Sequence, residues 1–239
     1  MLRLLLVTFV IVPTTAYYGL RMLWAAYRNS PHARCLCHKY PLTWARRLLR
    51  CAGANVVLEN EQVIDPERPQ ILVANHVSWF DILALAGYVP GRSVFVAKKE
   101  LMNVPVFGRA AKACGHIFID RQDRTKAVES LRAARQMLEE ESPTIIMFPE
   151  GTRSPTGELQ QFKKGAFVLA IQTGVDVVPA SISGSREIMK KGSLLVRPGT
   201  IRVRFGEPIS VEGVGLENRN ELTDRAREAL VALGASSAS

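Results

Sequence analysis

The sequence predicts an α/β protein: a mixed, largely parallel sheet flanked by helices, preceded by an N-terminal membrane-associated helical segment. Three observations carry this expectation. From Gln70 onward, short apolar runs alternate with longer stretches of helical spacing, the rhythm of strand–helix units with parallel pairing. The short runs are almost continuously apolar, as in strands buried on both faces. Before them the chain opens on an uncharged, apolar and aromatic-rich stretch, Leu4 to Leu20.

That opening stretch lies between Arg3 and Arg21 and is broken by Pro13, Thr14, Thr15 and Gly19. A spanning helix needs ~20 apolar residues, so its length is marginal, and Pro13 should kink it. A cleaved signal peptide, a spanning helix and a helix within one leaflet remain as alternatives. Thr15-Ala16-Tyr17 is a poor small-residue cleavage site, which weakens the first. Arg21, Arg28 and Arg34 follow the stretch, and the positive-inside rule then leaves the bulk of the chain on the cytoplasmic side. Pro41 to Cys51 sets Trp44, Leu48 and Leu49 among Arg46, Arg47 and Arg50, a pattern suited to an interfacial helix facing anionic lipid or to a surface helix packed on the core. Asp65-Pro66-Glu67-Arg68-Pro69 marks the expected boundary, giving a membrane-associated helical segment over 1–64 and an α/β domain over 65–239.

Within that domain the expected strands are Ile71–Ala74, Ser93–Ala97, His116–Ile119, Thr144–Phe148 and Val177–Ile182. Helices are expected over Trp79–Tyr88, Val106–Cys114, Lys126–Glu140 and Phe162–Gln172. The third carries Val128, Leu131, Ala134 and Leu138 at helical spacing, and Thr173-Gly174 stops the fourth. Leu194-Leu195-Val196 and Ile201–Phe205 read as a hairpin joined through Pro198-Gly199, and Arg219–Leu233 as a terminal amphipathic helix.

At 239 residues the chain can bury one sizeable core. Its formal charge of +9 and pI of about 9.7 favour anionic partners: membrane lipids, phosphate-bearing substrates or acidic carriers. No run of Lys and Arg interleaved with aromatics suggests a nucleic-acid face, so no nucleic-acid partner is expected. Four cysteines are too few for a disulfide scaffold, and a reducing compartment is the default expectation. His32, Cys35, Cys37 and His38 crowd together but lack the second, distant ligand pair of a structural zinc site. No metal is expected.

Ligands of open α/β sheets collect outside the carboxyl ends of the strands, and two polar clusters fall there. The first is Asn75-His76-Val77-Ser78-Trp79-Phe80-Asp81. Five positions apart on one helix, His76 and Asp81 would point to different faces at about 100° per residue. They can meet if Ser78 caps the helix, with Asp81 in its first turn and His76 just upstream. A carboxylate on one ring nitrogen then fixes the tautomer and leaves the other to take a proton. The second cluster, Pro149-Glu150-Gly151-Thr152-Arg153-Ser154, places a guanidinium in a glycine-containing turn, suited to phosphate. Lys98-Lys99, Arg121 and Arg124 add cations at other strand ends.

In these blocks the chain resembles the glycerolipid acyltransferases of the 1-acylglycerol-3-phosphate (lysophosphatidate) type. Asn75-His76-x-Ser78-x-x-Asp81, Gly115 to Arg121, Phe148 to Ser154 and Val178-Pro179-Ala180 match that family's motifs in order. Lys98-Lys99-Glu100-Leu101 followed by Pro105-Val106-Phe107-Gly108 is similar to a further block, with Val106 where an aromatic is frequent. The resemblance covers roughly Arg46 to Ile209. It implies that His76 is the general base and Asp81 its orienting carboxylate. Arg121, Glu150, Gly151, Thr152 and Arg153 would hold the acceptor. It implies acyl transfer from a thioester, coenzyme A or acyl carrier protein, to the sn-2 hydroxyl of lysophosphatidate, without a cofactor. The expected setting is the cytoplasmic face of the inner (plasma) membrane. Acylation of another lyso-lipid or of glycerol 3-phosphate stays open, as does a lipid hydrolase. The chain has no G-x-S-x-G elbow for the last, and neither G-x-G-x-x-G nor the P-loop pattern for a nucleotide enzyme.

Overall fold

The computed structural model describes residues 2–236 except Pro31, Arg121, Gln122 and Ser142. Its centre is a seven-stranded sheet. In chain order the strands are β1 (Ala54–Glu59), β2 (Gln70–Ala74), β3 (Ser93–Lys98), β4 (Ile117–Ile119), β5 (Thr144–Met147), β6 (Val177–Ser183) and β7 (Gly199–Phe205). In space they run β1-β7-β6-β2-β5-β3-β4. Every neighbouring pair is parallel except β6 with β7. The helices are α1 (Leu2–Tyr27), α2 (Ala33–Ala52), α3 (Trp79–Tyr88), α4 (Phe107–Ala113), α5 (Arg124–Glu141), α6 (Gly165–Thr173), α7 (Ser185–Ile188) and α8 (Arg219–Ala232).

The near-continuous apolar strands are explained by the layers on either side. Along β2 every residue is buried, and alternate side chains serve opposite faces. Ile71 and Val73 join Ala134 and Leu138 of α5, Phe167 and Leu169 of α6, and Leu222 and Leu230 of α8. Leu72 and Ala74 join Leu49 of α2, Phe80 and Leu85 of α3, and Ile188 of α7. The result is a three-layer sandwich with a mixed, mostly parallel sheet, as the alternation predicts.

The chain departs from expectation at two places in the sheet. The hairpin after Pro198 does not form: both edges of β7 are taken, by β6 on one side and β1 on the other, so no partner strand can occupy 194–196. Val196 instead packs into the core as an irregular segment. β1 is the missed strand, a parallel partner to β7 from Ala54↔Gly199 to Glu59↔Arg204. It precedes Asp65, the expected boundary, and is hydrogen-bonded into the same sheet as the rest.

The two N-terminal helices pack on the same body. Leu48 and Leu49 of α2 are buried, and α2 lies along α3. The apolar side of Pro41–Cys51 therefore faces protein, as in the packed-helix alternative. Trp44 Nε1 donates to Thr15 Oγ1 of α1 at 2.9 Å, and its ring lies against Phe107 of α4. One cysteine expectation needs correcting: Cys37 of α2 and Cys114 at the end of α4 form a disulfide, a contact across 77 residues that spacing could not reveal. Among the described residues there is no cluster of metal-binding side chains, and no helix is long and apolar enough to cross a membrane.

Candidate active site

The site is built where β5, β2 and β6 end. These three strands are adjacent and parallel, with Val73 opposite Met147 and Ala74 opposite Ala180, so their carboxyl ends open on the same edge. After β2 the chain turns into α3 through His76, Val77 and Ser78. Ser78 caps α3: its Oγ accepts from Phe80 N, and Asp81 reaches back to Ser78 N. That capping box is the local reason His76 and Asp81 meet.

His76 Nδ1 lies 2.8 Å from Asp81 Oδ2. The carboxylate only accepts, so Nδ1 carries the proton and Nε2 is left with a lone pair. Oδ2 also accepts from Val77 N at 2.7 Å and Ser78 N at 2.8 Å. Asp81 is wholly buried, whereas the His76 side chain is 12% exposed. The imidazole stacks on Phe148, with ring centroids 4.1 Å apart. Its plane is therefore set by an aromatic face and its edge by a carboxylate.

The second cluster, after β5, grips the first through backbone. Ser154 N donates to His76 O at 2.7 Å, and His76 N donates to Glu150 Oε1 at 2.7 Å. Glu150 Oε2 accepts from Gln160 N and Gln160 Nε2 at 3.0 and 3.2 Å. Glu150 is only 4% exposed, and burial pushes its carboxyl above the usual carboxylate range, against those hydrogen bonds. Both its oxygens are thus engaged by protein, and its contact is with the backbone that carries His76.

Gly151 adopts φ +74°, and a Cβ there would meet Lys163 Cε at 3.0 Å. The turn favours glycine for its conformation, and the flexible Lys163 side chain lies over it. Thr152 is exposed, and its carbonyl accepts from Gln160 Nε2 at 2.9 Å. Arg153 is partly buried with its guanidinium 4.8 Å over the ring of Trp79, the first residue of α3. Burial lowers its pKa while the charge on Asp81 raises it. Lys191 Nζ donates to Arg153 O at 2.6 Å. Arg121 lies outside the described residues. Its neighbour Asp120 is buried and pairs with Lys99 Nζ at 2.5 Å.

Phe148, Gln160 and Lys191 complete these contacts without having been singled out from sequence. Phe148 stood inside a matched block and could have been read as the histidine's platform. The other two act from remote loops, and no local signal marks them.

A buried carboxylate, a tautomer-fixed histidine and a neighbouring guanidinium are together the parts that general-base chemistry beside an anion calls for. Residues 55–183 match the family model described as Acyltransferase, and the chain belongs to that acyltransferase family. It is 34% identical over 167 residues to the 1-acyl-sn-glycerol-3-phosphate acyltransferase of Cocos nucifera, covering 70% of this chain and 54% of that protein. To the human 1-acyl-sn-glycerol-3-phosphate acyltransferase alpha it is 33% identical over 179 residues, covering 75% and 63%. The chain thus spans between half and two-thirds of these curated relatives. The crystal structure of the 1-acyl-sn-glycerophosphate (LPA) acyltransferase PlsC from Thermotoga maritima superposes with a TM-score of 0.82 at 30% identity, covering 100% of this chain and 97% of that one.

Proposed function

We propose that the protein transfers a fatty acyl group from an acyl thioester to the free sn-2 hydroxyl of 1-acylglycerol 3-phosphate, making phosphatidate for phospholipid synthesis. The observation that carries this reading is the His76–Asp81 pair, with Nδ1 held at 2.8 Å from the carboxylate and Nε2 left to face a substrate. His76 Nε2 takes the hydroxyl proton as the oxygen attacks the thioester carbonyl. The C–S bond then breaks and the imidazolium returns the proton to the departing thiolate. Arg153, beside Trp79, supplies the cation for the acceptor's phosphate, with Arg121, Gly151 and Thr152 in the same binding role. The reaction needs no cofactor. The acyl donor is coenzyme A or acyl carrier protein, both anionic and suited to a chain of net charge +9.

A serine mechanism is disfavoured by geometry. The Ser78 hydroxyl, two residues along from His76, is buried, donates to Met189 O at 2.7 Å and accepts from Phe80 N. It caps α3, and its donor and acceptor are both spent on backbone. Lipid contact is part of the same proposal. α1 exposes Phe9, Leu20, Trp24 and Tyr27, and Arg21 and Arg28 lie over the rings of Tyr17 and Trp24. Aromatic, apolar and basic side chains together suit the headgroup level of a membrane, on its cytoplasmic face.

The test is thiol release from each acyl thioester, with and without lysophosphatidate, for the wild type and His76→Ala. Release that needs both acceptor and His76, with phosphatidate as product, is the expected result. Acceptor-independent release would make the protein a thioesterase, and near-normal turnover by His76→Ala would remove the general base from the mechanism.

A further inference from the structure

Asp81 has two oxygens, and the contacts described so far use only Oδ2. The other, Oδ1, accepts a hydrogen bond from Ser185 Oγ. Ser185 begins α7, is wholly buried, and is separated from Asp81 by 104 residues. It also lies past the 55–183 stretch that matches the family model.

The chain goes to some length to deliver that hydroxyl. Asn75, next to His76, makes a two-point contact with the backbone of Ile182 in β6: its Nδ2 donates to Ile182 O at 2.9 Å and Ile182 N donates to its Oδ1 at 2.7 Å. Two residues on, Gly184 turns the chain at φ +81°, where a Cβ would lie 2.0 Å from Thr200 O. No other residue fits there. The turn that follows aims Ser185 into the interior, at the carboxylate.

We propose that Ser185 is a positioning residue for the acyl transfer, holding the Asp81 carboxylate in the one rotation that presents Oδ2 to His76 Nδ1. The inference rests on the reading of His76 as general base. A carboxylate held by donors on both oxygens cannot swing about its terminal torsion, which is otherwise soft. With Oδ1 unsatisfied in a wholly buried site, Asp81 would turn to seek another donor, and the histidine would lose its fixed edge. Ser185 touches no substrate, so its effect belongs in turnover and not in substrate affinity.

Three variants separate this role from simple packing: Ser185→Ala, which removes the hydroxyl, Ser185→Cys, which keeps the volume with a weaker donor, and Ser185→Thr, which keeps the donor. Each is assayed for kcat and for KM of both substrates beside wild type and His76→Ala, with a melting curve for each protein. The expected result is a loss of kcat of about tenfold to a hundredfold in Ala and a smaller loss in Cys. KM should stay within about twofold and Thr should approach wild type. Wild-type kcat in Ala or in Cys would overturn the proposal, as would losses in all three that follow the melting temperature alone. Should Ala fail to fold, Cys against Thr decides the question. A wild type without acceptor- and His76-dependent transfer would refute the proposed function itself, a result distinct from an active wild type matched by its Ser185 variants.

Discussion

His76 is a case of one side chain governed almost entirely by others. Its ring edge is set by Asp81, its ring face by Phe148, and its backbone is gripped at N by Glu150 and at O by Ser154. Glu150 and Arg153 sit three residues apart in one turn, yet their surroundings assign them different work. Glu150 is buried and fully engaged by protein, while Arg153 is partly open beside Trp79. Glu150→Gln replaces an acceptor oxygen with a donor nitrogen facing another N–H, so the turn loosens. Its kcat should fall about tenfold or more with the acceptor KM little changed. Arg153→Ala should do the reverse, raising the acceptor KM by about tenfold or more through loss of the phosphate contact. Steady-state kinetics at varied lysophosphatidate concentration reads both, and an unchanged acceptor KM in Arg153→Ala would deny that residue its role. The His76–Asp81 meeting was legible because a capping box is a local pattern. The inward turn of Glu150 was not, because nothing in Pro149-Glu150-Gly151 says which side chain faces the backbone of a loop 74 residues away.

At the scale of elements, the site follows from three neighbouring parallel strands ending together, and this was readable in outline. Apolar runs bounded by polar clusters mark buried strands and the loops at their carboxyl ends. β1 was not readable, because its apolar run, Val56-Val57-Leu58, is short and lies on an edge strand that is largely half-buried or exposed, unlike the fully buried β2 and β5. His116, just before β4, shows a different constraint. Its Nδ1 accepts from Phe95 N in β3 at 3.0 Å, so the neutral form is built into the pairing of the two strands. Burial, with Arg92 nearby, pushes its pKa down to about 4 from 6.5. Above about pH 6.5 the site is neutral folded or unfolded, and its full contribution is present. As pH falls from there to about 4, the unfolded chain binds a proton that the native state resists, so stability is progressively lost. Urea unfolding of wild type and His116→Gln across that window should show the variant losing less, by at most about 3 kcal/mol. Equal slopes would mean that His116 is protonated in the native protein as easily as in the unfolded chain.

At the scale of the whole molecule, the question is how the open edge of a sheet would meet the proposed acceptor, which already carries an acyl chain. α1 answers it by being fixed to the body and not by hanging from it. Trp44 ties it to α2, and the missing Cβ of Gly19 admits the Val106 side chain, since a Cβ there would lie 2.5 Å from Val106 Cγ1. The disulfide in turn ties α2 to α4. A lipid-facing α1 would therefore hold the catalytic edge in one orientation to the bilayer. If α1 is the lipid contact, Leu20→Ser with Trp24→Ser should sharply reduce co-sedimentation with anionic vesicles. Each apolar side chain lost from the interface removes roughly 1.5–3 kcal/mol of burial. Raising the salt should weaken wild-type binding only in part, because Arg21 and Arg28 contribute about 1 kcal/mol each while the apolar share is unscreened. Turnover should separate in the same direction. Transfer to a vesicle-embedded acceptor should fall with binding, and transfer to a short-chain, dispersed acceptor should not, because among the described residues no α1 side chain bonds to His76, Asp81 or Arg153. A double variant that still sediments like wild type would move the lipid contact off α1, and one that loses both activities equally would make α1 a structural brace for α4.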